Sequence, residues 1–282
     1  MATIPLLSSK TPGIIVTEIR MMSSTFKGIH FLLEGDDDAR FWKSRLSKPT
    51  VTTVTCEGKP NLLGAAVLVN KLGLPAIAGV YDPDFERLLG ITQSPNILVP
   101  TDENDLEVTL LVSGALDALL HEFADETLIE DFETDVGISV AEHLERVSSE
   151  FGRLRFLNHL FGHRVDFDRL SPYRFVSVAD WSLDLAGLQA EYAVLSSTDP
   201  HALPALIVTH CPPAVDWAYA QGHDCLRVLA QGLKRRIGRK QINEQDIARV
   251  LRLAYAAEML QLSEMYRSLR VIERSLHAPL FP

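Results

Sequence analysis

The chain has no apolar run approaching the ~20 residues that a bilayer-spanning helix needs. Its start, Met1-Ala2-Thr3-Ile4-Pro5-Leu6, lacks the basic stretch and hydrophobic core of a signal peptide. The expected location is therefore the cytoplasm, with no membrane partner. Cysteine is scarce: Cys56, Cys211 and Cys225 are an odd, scattered set. They offer neither a disulfide framework nor zinc-finger spacing. Cys211, before Pro212-Pro213, reads as a small buried residue rather than a reactive thiol. The Gly-x-x-x-x-Gly-Lys-Ser/Thr phosphate loop is missing, which argues against an ATPase. Low-complexity tracts and solenoid-period repeats are missing too. Positive charge is in deficit, with 27 Lys and Arg against 37 Asp and Glu, a net −10. A basic surface is the usual footprint of a nucleic-acid binder. Any nucleic acid must here be gripped locally, or in a groove shared by two subunits.

What is present is ordinary for a globular protein, with 46% hydrophobic residues over 282 positions. That length buries one large core or two modest ones. The informative features are carboxylates at the ends of apolar runs. Glu34 closes Ile29-His30-Phe31-Leu32-Leu33, and Asp82-Pro83-Asp84 closes Ala76-Ile77-Ala78-Gly79-Val80-Tyr81. Such runs, bounded by Gly and Pro, read as buried strands of a parallel sheet. Ligands of open α/β sheets bind off the carboxyl ends of the strands. Acids set there by two strands can meet at one point and hold a hard cation.

The surrounding pattern supports this arrangement. Residues 26–36 are strand-like, 37–46 helical, 50–56 strand-like, and 60–72 helical with Gly73 as a stop. The Asp-Pro-Asp strand and a strand at 96–99 follow. An acidic stretch from Thr101 to Glu107 then opens a long helix to about Phe123. The alternation predicts an α/β fold, a parallel sheet flanked by helices at 26–124, followed by a mostly helical domain at 125–282. Residues 1–25 read as a tail or edge strand, with Gly13–Glu18 strand-like. The clearest helix has Asn243 as N-cap, with Ile247, Val250, Leu251 and Ala254 on one face and Ala257 continuing it.

A Glu-Gly ending one strand, an Asp-x-Asp ending a later one and an Asp-Leu-Glu after the next resemble a Toprim domain. The pattern is closer to the OLD-type nucleases than to topoisomerases. It is closer still to the toxin-nuclease family of the PARIS anti-phage systems. Phe156-Leu157-Asn158-His159 and Gly222-His223-Asp224, with Leu226, Leu229 and Gly232-Leu233, are similar to that family's helical half. The similarity spans about 26 to 275. It implies a magnesium- or manganese-dependent nuclease and the effector of a bacterial defence system. It also implies an ABC-type ATPase partner that holds the toxin inactive, a homodimer when active, and transfer RNA as a target. RNA and DNA both remain open as substrates. The resemblance places catalytic and metal-binding roles on Glu34, Asp82 and Asp84, with Glu107 joining the metal shell.

Each residue also has a plainer reading. Asp-Pro-Asp is good turn chemistry. If instead it lies on a strand, the carboxylates of Asp82 and Asp84 share one side, roughly 6–7 Å apart. Asp36, Asp37, Asp38, Asp105 and Glu107 suit helix N-termini. Lys59 is a phosphate-contact candidate or a solvated loop lysine. Lys234, Arg235, Arg236, Arg239 and Lys240 form the only dense basic run. They read either as a nucleic-acid or partner contact or as a solvated helix end. His223 reads as a core histidine. Two alternatives stand beside the nuclease. One is a non-catalytic scaffold that binds an ATPase. The other is a primase-like phosphoryl-transfer enzyme, which the lack of a primase zinc motif disfavours.

Overall fold

A computed structural model describes residues 10–74, 76–91, 96–276 and 278–282. Packing divides the chain into two units. The first comprises residues up to 83, 91–102 and 257–282, and the second 84–90 and 103–256. The division does not follow the linear partition at residue 124. The C-terminal helices belong with the sheet, and the segment expected to complete the sheet domain belongs with the helices.

The first unit is built on a parallel sheet of four strands: β1 (Ile29–Leu33), β2 (Val51–Thr55), β3 (Ile77–Tyr81) and β4 (Leu98–Pro100). Their order is β2-β1-β3-β4. The expected strands are present with altered bounds: 29–33 within the expected 26–36, 51–55 within 50–56, 77–81 in the run that begins at Ala76, and 98–100 where 96–99 was expected. β1 and β3 are buried along their whole length, as continuous apolar runs in a doubly covered sheet should be.

The segment expected as a tail or edge strand, Gly13–Glu18, is helical. It lies in α1 (Pro12–Met22). Thr11 caps it, accepting from the Ile14 N–H at 3.3 Å, and Pro12 occupies the first turn, where no N–H is needed. Ile15, Val16 and Ile19 face inward. Tertiary packing thus overrides the strand preference of Ile14-Ile15-Val16-Thr17. Residues 1–9 of the expected tail lie outside the described residues. α2 (Asp36–Lys43) and α3 (Lys59–Lys71) follow β1 and β2. Ile15, Val16 and Ile19 of α1 and Leu62, Ala65, Ala66 and Val69 of α3 share a core with Leu32, Val54, Ile77 and Tyr81 of the sheet. Each fully buried aliphatic side chain there contributes roughly 1.5–3 kcal/mol at most. On the other face Trp42 of α2 packs on Phe31, ring centroids 5.3 Å apart.

The second unit is helical. It holds α4 (Glu86–Leu89), α5 (Leu106–Val112), α6 (Ala115–Phe123), α7 (Glu126–Val136), α8 (Val140–Phe161) and α9 (Pro172–Phe175). It continues with α10 (Leu185–Ser196), α11 (Leu203–His210), α12 (Gly222–Arg235) and α13 (Glu244–Ala254). The long helix expected to run to Phe123 is two helices, broken at Ser113-Gly114. Ser113 takes an extended conformation, and its hydroxyl accepts from the Ala115 N–H at 3.2 Å. Asn243 caps α13, accepting from the Asp246 N–H at 2.9 Å, and Ile247 and Leu251 are buried. α13 ends at Ala254, so Ala257 does not continue its face.

The chain then returns to the first unit with α14 (Ala257–Leu262) and α15 (Glu264–Leu276), and α15 packs along β3 and β4. Asp102, just past β4, caps α15, accepting from the Met265 N–H at 2.6 Å and the Glu264 N–H at 3.2 Å. Among the described residues no helix is long and apolar enough to cross a membrane.

Candidate functional site

The strand order places a topological switch between β1 and β3. From β1 the chain crosses to β2 on one side, and the next crossover brings it to β3 on the other. Such a switch opens a crevice at the carboxyl ends of the two strands, where ligands of open α/β sheets bind. Glu34 is the first residue after β1 and Asp82 the first after β3. The Asp82 backbone N–H donates to Glu34 Oε1 at 2.9 Å, so the two acids stand side by side, both half-buried. The Thr101 hydroxyl, after β4, donates to Asp82 Oδ1 at 3.5 Å. Lys59 opens α3, and its ammonium lies 5.5 Å from the centroid of the Tyr81 ring, a cation–π distance. It belongs to a helix end rather than a loop.

Asp84 does not share a strand face with Asp82. β3 ends at Tyr81, and Asp84 sits in a turn with φ +52°, its N–H donating to the Asn104 carbonyl at 2.8 Å. The turn chemistry of Asp-Pro-Asp prevails, so strand spacing does not describe this pair. Asp36, Asp37 and Asp38 form the first turn of α2. Asp38 accepts from the Gly35 N–H at 2.9 Å and Asp37 pairs with Arg40 at 2.6 Å.

The second unit gathers its own constellation. Asp105 caps α5, Oδ1 accepting from the Val108 N–H at 2.8 Å and Oδ2 from the Gly222 N–H at 2.6 Å. Burial pushes this carboxyl up to about 6. The two N–H donors and His223 pull against that rise, while Asp84 adds to it. Glu107, two residues on in the first turn of α5, lies 3.8 Å from the Arg252 guanidinium of α13. Buried Asn104 donates through Nδ2 to the carbonyls of Trp217, Ala218 and Ala220, at 2.8–3.1 Å.

This explains Gly222-His223-Asp224. A Cβ on Gly222 would stand 2.5 Å from Glu107 Cβ and 2.7 Å from Asp105 Oδ1, so only glycine lets α12 approach α5. His223 is exposed, not a core residue, because α12 turns its buried face away from it. Asp224 is buried and takes both arms of Arg155, at 2.6 and 2.9 Å. Gly222→Ala is expected to destabilise the protein by ~1–3 kcal/mol through overpacking, read as a lower urea midpoint. An unchanged midpoint would show that α12 can shift at no cost.

The dense basic run is mostly engaged within its own unit. Lys234 donates to Gln231 Oε1 at 2.7 Å and Arg236 pairs with Asp135 at 2.6 Å. Arg239 lies 3.7 Å from Asp125, and Lys240 donates to the Glu122 carbonyl at 3.1 Å. Exposed Arg235 makes none of these contacts. The density that α12's dipole does not explain thus has a structural use, fastening its end to the acidic segment 122–135.

All three cysteines are buried. Burial pushes the Cys56 thiol up to about 12 and Cys211 up to about 11, and raises Cys225 as well, so none is poised as a nucleophile.

The donor set at the switch suits a hard cation. No three His, Cys, Asp or Glu side chains among the described residues form a ready cage. Magnesium does not demand one, since it keeps several waters and is held through one or two carboxylates plus substrate phosphate. Glu34 and Asp82 are the two carboxylates at this strand end that could hold such an ion. Compared with known proteins, the chain matches no family model, no curated protein and no solved structure.

Proposed function

We propose that this protein is a divalent-metal-dependent nuclease of the Toprim type, with its metal at Glu34 and Asp82. One observation carries the reading. The two acids that follow the strands on either side of the topological switch are linked directly, Asp82 N–H to Glu34 Oε1 at 2.9 Å. The carboxyl end of the sheet thus brings the Glu34 carboxylate against the backbone of Asp82.

Magnesium or manganese bound there adds a Lewis acid and counter-charge for a phosphodiester. The chain's own groups do the rest. The Thr101 hydroxyl and the Asp82 N–H orient the carboxylates. Glu34 is placed to hold or accept a proton. Lys59 brings a cation to the same strand end, where it can face a phosphate oxygen. The sequence resemblance also assigns metal-binding roles to Asp84 and Glu107, which belong to the second unit. Exposed Arg235, with the rest of the 234–240 run, is the proposed contact to RNA, transfer RNA or DNA. The defence role, with an ABC-type ATPase partner holding the enzyme in check in the cytoplasm, rests on the sequence resemblance.

Metal binding is the decisive test. Saturating magnesium or manganese should raise the melting temperature, since an ion at a hundred times its Kd adds about 2.7 kcal/mol. Glu34→Gln and Asp82→Asn should lose that response. Both should still fold, because the glutamine carbonyl can still accept the Asp82 N–H. Equal calorimetric binding in wild type and both variants would remove the site and leave a scaffold.

A further inference from the structure

Charge is divided unequally between the two units. The sheet unit holds 12 Lys and Arg against 11 Asp and Glu, and the helical unit 15 against 26. The helical unit therefore carries −11 and the sheet unit +1. Within the sheet unit the two signs also separate along the strands. Glu34 and Asp82 directly follow β1 and β3, Asp102 lies just past β4, and Asp36, Asp37 and Asp38 open α2, all at the carboxyl end. The helices run back against the strands, as parallel crossovers require. α1, α2 and α3 each lead into the next strand, and α15 starts at Asp102. Their C-termini therefore gather at the amino end of the sheet. Ser23, which ends α1, has its hydroxyl 3.0 Å from His30 Nε2 at the start of β1. The Thr50 hydroxyl, before β2, donates to the Pro279 carbonyl at 2.7 Å, and the Ser47 N–H to the Leu280 carbonyl at 2.8 Å, which ties the segment after α15 to the same end.

Six cations stand at this end. Arg20, Lys43, Lys71 and Arg274 lie in the last turns of α1, α2, α3 and α15, and Lys27 and Lys48 in the loops that enter β1 and β2. All six are exposed, and among the described residues none pairs with a carboxylate. Glu273, the acid at the end of α15, is buried and already engaged, by Arg270 at 2.5 Å and the Leu280 N–H at 2.7 Å. Helix macrodipoles favour basic last turns, but they do not account for the whole face. Four helix C-termini carry about −0.5 each, about −2 together, against six positive charges. Lys27 and Lys48 stand outside the helices, where no macrodipole favours them.

We propose that the amino end of the sheet is a docking face for the phosphate backbone of a nucleic acid. Its cations come from positions 20 to 274 of the chain and meet only in the fold, so no basic run announces them. The face lies at the opposite end of the strands from Glu34 and Asp82. The five residues of β1, at roughly 3.3 Å each, set the two ends ~17 Å apart. About five base pairs, at about 3.4 Å each, bridge that distance. The face therefore holds a long nucleic acid at a point remote from any cleavage, and the acidic helical unit repels the backbone elsewhere. The choice of nucleic acid as the polyanion rests on the nuclease reading, whereas the separation of charge does not.

Fluorescence anisotropy of the full chain in EDTA tests this, since it reads binding without metal or cleavage. The probes are a DNA duplex and an RNA hairpin, each of about 20 base pairs, long enough to span both ends. Wild type should bind at least one of them at low salt. Lys43→Glu with Lys48→Glu should raise that Kd at least about tenfold and flatten the slope of log Kd against log salt by about 2, one for each lost phosphate contact. Lys27→Glu with Lys71→Glu should do the same from the other face of the sheet, and serves as the second route if the first pair unfolds. Arg146→Glu with Arg164→Glu makes the same charge change on exposed residues of the helical unit and should leave the slope unchanged. No binding of either probe by wild type overturns the proposal. So does an amino-end pair that behaves like the Arg146 and Arg164 control, even where wild type cleaves nucleic acid with metal, and the nuclease reading would then stand without this face. Binding that the amino-end pairs weaken supports the face even if wild type cleaves nothing. Tighter binding to phosphatidylserine vesicles than to either probe would make the face a lipid contact and overturn it.

Discussion

Glu34→Gln is expected to reduce nucleic-acid cleavage by about 10²–10⁴-fold, the range lost with a residue that handles a proton at a reacting centre. The protein should remain folded, because Gln keeps an oxygen for the Asp82 N–H that Glu34 now accepts at 2.9 Å. Expressed in bacteria without an inhibitory partner, the wild-type chain should slow growth. Sequencing of cellular RNA and DNA ends should then show new breaks, and their identity would decide between transfer RNA, other RNA and DNA. Glu34→Gln should relieve both effects. Toxicity that survives at equal protein level would place the activity outside the strand-end pair and favour a scaffold that acts through a partner.

The elements that could be read from sequence are those whose neighbours in the chain are also their physical cause. β1 and β3 are buried throughout, so their apolar runs announce them, and Glu34 and Asp82 follow as the first residues that need not be apolar. α13 carries both its cap and its buried stripe within one segment. α1 misleads because Ile14-Ile15-Val16-Thr17 has strand composition. The Thr11-Pro12 start was the legible sign of a helix, and packing on α3 completes it. The break at Ser113-Gly114 hides inside an apolar stretch that would suit a continuous helix equally well.

What sequence cannot supply is distant partnership. Gly222 is explained by Asp105 and Glu107, more than a hundred positions earlier, and Asp102 by the start of α15. The basic run shows the same limit. Its composition suggests a phosphate contact. Its partners, Asp125, Asp135 and the Glu122 carbonyl, can be seen only once α12 is placed against the acidic segment.

The pair formed by Arg155 and Asp224 should show how unequally two partners share one interaction. Asp224 has a side chain 1% exposed, whereas that of Arg155 is 26% exposed. The guanidinium also lies 4.2 Å from the centroid of the Phe167 ring. Arg155→Met leaves a buried carboxylate with neither of its two strong donors, and a buried charge without its partner costs about 3–5 kcal/mol. Asp224→Ala leaves instead a guanidinium that can turn toward water, so its cost should be smaller, though it still loses a charge-assisted bidentate contact. Arg155→Met with Asp224→Leu removes both charges and should recover much of the stability lost in Arg155→Met alone. Urea unfolding of the two single variants and the double variant measures the coupling directly. Additive losses, or an Arg155→Met variant within about 1 kcal/mol of wild type, would show that water reaches Asp224 and that the Gly-His-Asp segment is held by the close approach of α12 to α5 alone.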